Sequence, residues 1–130
     1  MIEHQASIDA AMAALDDFMS SLNANDEAGV NRSFNFPQVR FTGGGDAKFF
    51  LETGDYKHSY FRERTEADGR HRSDWDRREV IHSGPSKVHF DTQSSRYRAD
   101  GSVIGSYTSI YVTTFVDGKW GIQARSSYAL

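Results

Sequence analysis

Cysteine is absent from this sequence. That excludes disulfides, a thiolate metal site and a cysteine nucleophile, and it fits a reducing compartment. Long apolar runs are missing too: no stretch approaches the roughly 20 residues of a membrane-spanning helix. The opening "MIEHQAS" lacks the basic-then-apolar pattern of a secretory signal. These absences predict a soluble, cytoplasmic protein with no membrane partner. An excess of positive charge is also missing, since 15 Lys and Arg face 18 Asp and Glu, for a net charge of −3. Such a global field does not draw in nucleic acid. The basic clusters "RHR" (70–72) and "RR" (77–78) sit among Asp74, Asp76 and Glu79, so they read as mixed strand charges. "GGGD" (43–46) is not followed by Gly-Lys-Ser/Thr, there is no Gly-x-Ser-x-Gly elbow, and the histidines show no close metal-ligand spacing. No cofactor and no metal are expected.

What is present suits one domain over residues 1–130. A chain of this size buries roughly two-thirds of its unfolded surface. Aromatics make up 13% of it, and aromatics furnish cores and pockets alike. Ile8, Met12, Leu15, Met19 and Leu22 form an apolar stripe at helical spacing over residues 7–22, with Ser7 placed as N-cap. "NAND" (23–26) ends that helix and caps a second, short one reaching to about Phe34. Pro37 opens a strand, "QVRFT", closed by "GGG", and Phe49 to Leu51 pairs back on it. Tyr56, Tyr60 and Arg64 recur at i, i+4, predicting a third helix from Asp55 to about Thr65. Four long strands follow at 70–83, 87–98, 103–116 and 119–128, separated by the turn sequences "SGPS", "ADG" and "DG". Helices followed by an antiparallel meander argue for the α+β class.

Three-residue loops at "RADGS" and "FVDGK" would set Arg98 opposite Ser102 and Phe115 opposite Lys119. Val88, Phe90, Ile110, Val112, Trp120 and Ile122 then share an apolar face. His89, Asp91, Gln93, Tyr107, Ser109, Tyr111, Gln123, Arg125 and Ser127 share a polar one. A two-residue turn at either loop would flip one strand and scramble this sorting. The helix stripe must cover one of the two faces, and the pattern leaves open which.

The layout resembles the nuclear transport factor 2-like superfamily, which includes ketosteroid isomerases, scytalone dehydratase and polyketide cyclases (SnoaL-like proteins). The resemblance is carried by the amphipathic first helix running into "LNANDEAGVNRSF", the strand after Pro37, the third helix, and the closing "YVTTFVDGKWGIQARSSYA". It implies a cone-shaped fold, also termed cystatin-like: a strongly curved mixed or antiparallel sheet wrapped around N-terminal helices, with a pocket between them. It also implies that the helices cap the polar face and that the convex face forms a homodimer. Ketosteroid isomerases pair an Asp base with an oxyanion hole of a Tyr and a protonated Asp. Here the helix-1 Tyr position falls at Phe18, the base position near Phe41 or Thr42, and the oxyanion Asp position at Tyr111. Proton abstraction by that route therefore loses its base, and Tyr111 is placed toward the pocket.

Two functional readings stay open. In the first, a lyase or isomerase acts by acid–base chemistry on a small, partly apolar organic molecule. His71 or His89 moves the proton, because imidazole titrates near working pH. Trp75, Asp91, Tyr107, Tyr111 and Arg125 bind substrate. Arg125 offers a planar fork of donors for a carboxylate or enolate oxygen, unless Asp91 is its structural partner. Tyr107 and Tyr111, four apart on one strand, point the same way. In the second reading the same fold is a non-catalytic dimeric ligand-binding or protein-interaction module.

Overall fold

The computed structural model describes residues 3–129. Helix α1 (Gln5–Asn23) and helix α2 (Glu27–Arg32) precede strands β1 (Phe34–Phe41) and β2 (Ala47–Phe50). Helix α3 (His58–Glu66) leads into β3 (Arg70–Ser83), β4 (Lys87–Arg98), β5 (Val103–Val116) and β6 (Lys119–Ser127). The six strands form one open sheet in the order β2-β1-β6-β5-β4-β3. All neighbours are antiparallel except β1 and β6, which run parallel. This is the α+β, cystatin-like architecture expected from the sequence.

Local chemistry accounts for most boundaries. The α1 stripe is buried through Ala11, Leu15, Phe18, Met19 and Leu22, and the helix packs across β3, β4, β5 and β6. Ser7 does not cap it. The helix begins earlier, at Gln5, and the Ser7 hydroxyl donates to the Pro85 carbonyl at 3.2 Å, tying α1 to the β3–β4 turn. Asp26 caps α2 by accepting from the Gly29 N–H at 3.0 Å. Pro37 lies inside β1 rather than opening it. The β1–β6 ladder breaks between Phe34 and Val39, where the proline cannot donate.

The register departs from the expected one in an instructive way. The 98–102 loop is as predicted, with the Arg98 N–H bonded to the Ser102 carbonyl and Gly101 at φ 88°. A bulge between Arg96 and Tyr97 then shifts the ladder by one residue, so Phe90 faces Tyr111 and Thr92 faces Ser109. The β5–β6 connection is a two-residue turn, not a three-residue loop. Asp117 and Gly118 both take positive φ, 51° and 78°, and Phe115 faces Trp120. A second bulge between Val112 and Thr113 restores the predicted parity, so Tyr111 faces Arg125. The inner face is therefore mixed: Val88, Phe90 and Ile122 lie with Thr92, Ser109, Tyr111 and Thr113, all buried. The choice between an apolar and a polar covered face does not arise, because α1 covers residues of both expected sets.

Phe34, 1% exposed, is the hub of the core. Its ring lies 5.8 to 6.3 Å from those of Phe18, Phe36, Phe50 and Tyr56.

Candidate ligand site

The helices and the inner sheet face do not close completely. Between them lies an inner chamber of about 40 Å³, beside an outer chamber of about 440 Å³. Phe18, Met19 and Leu22 of α1 line the inner chamber, with Ser73, Ser94, Arg96 and Tyr111 from the sheet. Phe41, Thr42, Lys48, Phe49, Phe50 and Tyr60 line the outer one. Arg40, Tyr56, Phe61, Arg64 and Arg125 border both, so the two spaces are adjacent. The outer volume falls in the ~300–1,000 Å³ range of small-molecule pockets.

The backbone dictates how the arginines arrive. Arg40 and Arg125 are partners in the parallel β1–β6 ladder and border the same chambers. The Arg40 guanidinium lies 5.8 Å from both the Phe34 and Phe50 rings, and Arg125 lies 5.9 Å from the Tyr111 ring. Arg96 follows Val88, Phe90, Thr92 and Ser94 along the inner side of β4. Its guanidinium sits 4.7 Å from the Tyr107 ring and 5.6 Å from that of Phe61. Arg64 reaches in from α3 and is the most exposed of the four. Among the described residues, no carboxylate lines either chamber. Burial first, and then the neighbouring Arg125, pull the Arg40 guanidinium down to about 9. Burial also lowers Arg96 and Arg64.

Tyr56 is held by a buried network. His58 Nε2 meets Asn25 Oδ1 at 2.8 Å, and its Nδ1 meets the Tyr56 hydroxyl at 3.3 Å. With Asn25 Oδ1 as acceptor, Nε2 carries the ring proton and Nδ1 accepts from Tyr56, which is the neutral imidazole. Burial raises the Tyr56 phenol and lowers His58. Tyr56 therefore stays protonated near neutral pH.

The expected site residues scatter. Tyr111 and Arg125 line the inner chamber. Tyr107 lies on the same sheet face but lines neither chamber; its ring packs over Gly105, where a side chain would displace it. Trp75 does not line the cavity; it packs edge-on against Tyr111 at 5.3 Å. Asp91 is not the partner of Arg125. The β4–β5 bulge turns it to the outer face, where it pairs with Arg77 at 3.0 Å. His71 is exposed beside Arg62 and Arg70, and His89 packs against His82 near the β3–β4 turn, so neither histidine reaches the chambers. Sequence reasoning missed Arg40, Arg64, Arg96, Tyr56 and Phe61. Of these, Arg96 carried a signal, being in phase with Val88 and Phe90 on β4.

No curated protein matches the chain. Solved structures match its fold along nearly the whole length. A cystatin-like protein of unknown function from Nostoc punctiforme is 13% identical with a TM-score of 0.77, over 98% of this chain and 93% of that one. Aln2 from a Streptomyces species is 15% identical with a TM-score of 0.76, over 99% and 94%. A ketosteroid isomerase-like protein from Erwinia carotovora atroseptica is 13% identical with a TM-score of 0.67, over 98% and 96%. At such identities the likeness speaks for fold alone. A family profile described as "NTF2-like protein (DUF6841)" matches residues 9–129, and the chain belongs to that family.

Proposed function

We propose that this protein is a ligand-binding pocket domain that takes a small, partly apolar organic molecule into the two-chamber cavity. The observation that supports it is a small, mostly polar recess lying beside a larger aromatic vestibule, the two sharing five lining residues. Binding is favoured over lyase or isomerase chemistry by the lining. The histidines proposed to move protons lie elsewhere, and the lining residues that carry an exchangeable proton near neutral pH are phenols, hydroxyls and cations. Tyr111 and Arg125 serve here as donors to a ligand oxygen.

Protein-observed NMR against a library of small acidic, neutral and basic fragments tests this reading. Shifts should concentrate on Tyr111, Phe61, Tyr56 and their neighbours. Saturable shifts elsewhere, with none at those residues for any fragment, would overturn it. A homodimer through the outer sheet face belongs to the same proposal, supported by Ile110, 40% exposed on that face. Light scattering that gives the monomer mass across a dilution series rejects it.

A further inference from the structure

Arg40 and Arg125 occupy facing positions on adjacent strands, where like charges repel. The Nε of each is buried without a protein partner, and a buried charged donor left unpaired is costly. The chain does not lack acids. Among the described residues its arginine ion pairs join Arg77 to Asp91 and Glu79, Arg78 to Asp16, Arg72 to Asp74 and Arg32 to Asp17, all away from the chambers. Arg70 is satisfied by neutral groups, Ser73 Oγ at 2.8 Å and Asn23 Oδ1 at 2.9 Å. The guanidinium groups of Arg40 and Arg125 thus converge on a recess that offers no counter-charge from the described residues, and Arg96 and Arg64 add to the same field. Arg40 is also packed beside a stacked pair of aromatic rings, Phe34 and Phe50, at 5.8 Å from each. Such an arrangement costs stability, and a bound anion would offset that cost.

The division of the cavity narrows the anion. The inner chamber, about 40 Å³, has room for a head group of few atoms. The outer chamber is flanked by Phe41, Phe49, Phe50 and Tyr60 and suits an apolar body. Guanidinium forks match planar carboxylates with paired donors. Resting on the pocket reading above, we propose that the ligand is a small organic carboxylate, its head group held between Arg40, Arg125 and Arg96 and its apolar body lying in the aromatic outer chamber. The lowered proton affinity of Arg40 agrees with a guanidinium lacking a counter-ion.

The test is a panel of small aromatic and aliphatic acids, each paired with its primary amide and its amine, titrated by calorimetry and NMR at low salt. Acids should bind at the cavity about tenfold or more tighter than their amides, and amines should not bind. Arg125→Gln should bring the acid-to-amide affinity ratio close to one. Equal binding of acids and amides at the cavity overturns the carboxylate assignment and leaves the pocket reading standing. Binding of no panel member at the cavity sinks both. If Arg125→Gln fails to melt cooperatively, the acid–amide ratio of the wild-type protein decides alone.

Discussion

Replacing Arg40 with methionine should stabilise the ligand-free protein. A guanidinium is ordinarily protonated up to ~12.5, whereas burial and Arg125 bring Arg40 down to about 9. At ~1.4 kcal/mol per tenfold, holding that charge in the folded state at neutral pH costs at most ~5 kcal/mol. The sign follows from linkage: a base with a lowered folded affinity is disfavoured when charged, and it is fully charged at pH 7. Two effects reduce the figure. The residue borders an open chamber, where water screens it. Its contacts with the Phe34 and Phe50 rings contribute ~0.5–1 kcal/mol each and are lost with the guanidinium. Methionine matches the unbranched stem and keeps the apolar packing. The net gain should be ~1–3 kcal/mol, a rise in Tm of about 3–12 °C for a domain of this size. Scanning calorimetry at neutral pH and low salt, without carboxylate buffers, measures it. Arg64→Met, at the exposed rim, is the control and should stay within ~0.5 kcal/mol of wild type. Adding a binding carboxylate should raise the wild-type Tm and leave that of Arg40→Met nearly unmoved. A Tm for Arg40→Met below wild type would refute the reasoning, because the buried charge would then have a compensating partner within the fold.

Tyr111→Phe should leave the melting temperature close to wild type, since its ring contacts with Phe18 and Trp75 survive, yet weaken carboxylate binding severalfold in calorimetry. Phe34→Ala removes a fully buried ring that touches four others and should cost ~3–5 kcal/mol in urea unfolding, with an unchanged m-value. Stability should fall as pH drops below ~6.5, because the buried His58 and the half-buried His89 both have lowered proton affinity in the fold. Their stabilisation is complete above the unfolded value and is lost as pH falls toward the folded one. Denaturation midpoints measured across that range for His58→Gln should show a shallower slope than wild type, and an unchanged slope would clear His58 of the role.

The strand limits were legible because turn chemistry marks them. "SGPS", "ADG" and "DG" bracket β3 to β6, whose bounds match the expectation except that β6 ends at Ser127 rather than residue 128. The helical stripe of α1 was equally plain. Facing was not legible, since a sheet's parity depends on single-residue events. The bulge at Arg96/Tyr97 flips β4 against β5, while the tight turn at Asp117-Gly118 and the bulge at Val112/Thr113 flip β6 twice and cancel. Tyr111 and Arg125 therefore come together as expected, although the turn between them differs from the expected one. Asp91 and His89, carried on the strand that flipped once, land outside. No local residue preference announces either bulge; curvature demanded by wrapping the sheet around α1 supplies the reason for them.

The arginine cluster was hidden for a different reason. In "FNFPQVRF" the apolar choice for the inner side at the strand's end would be Val39 and Phe41, with Gln38 and Arg40 turned to water. The fold does the reverse: Gln38 is buried, Arg40 borders the inner chamber, and Phe41 is 42% exposed beside the cavity mouth. Core patterning fails there because that end of β1 is not packed as core. A strand that gives up apolar burial to bring a guanidinium beside another one loses stability, and natural sequences tolerate such conflicts chiefly at sites of function. The position where hydrophobic patterning misleads is thus the position where Arg40 meets Arg125, and the rise in Tm expected for Arg40→Met measures how much stability the site gives up.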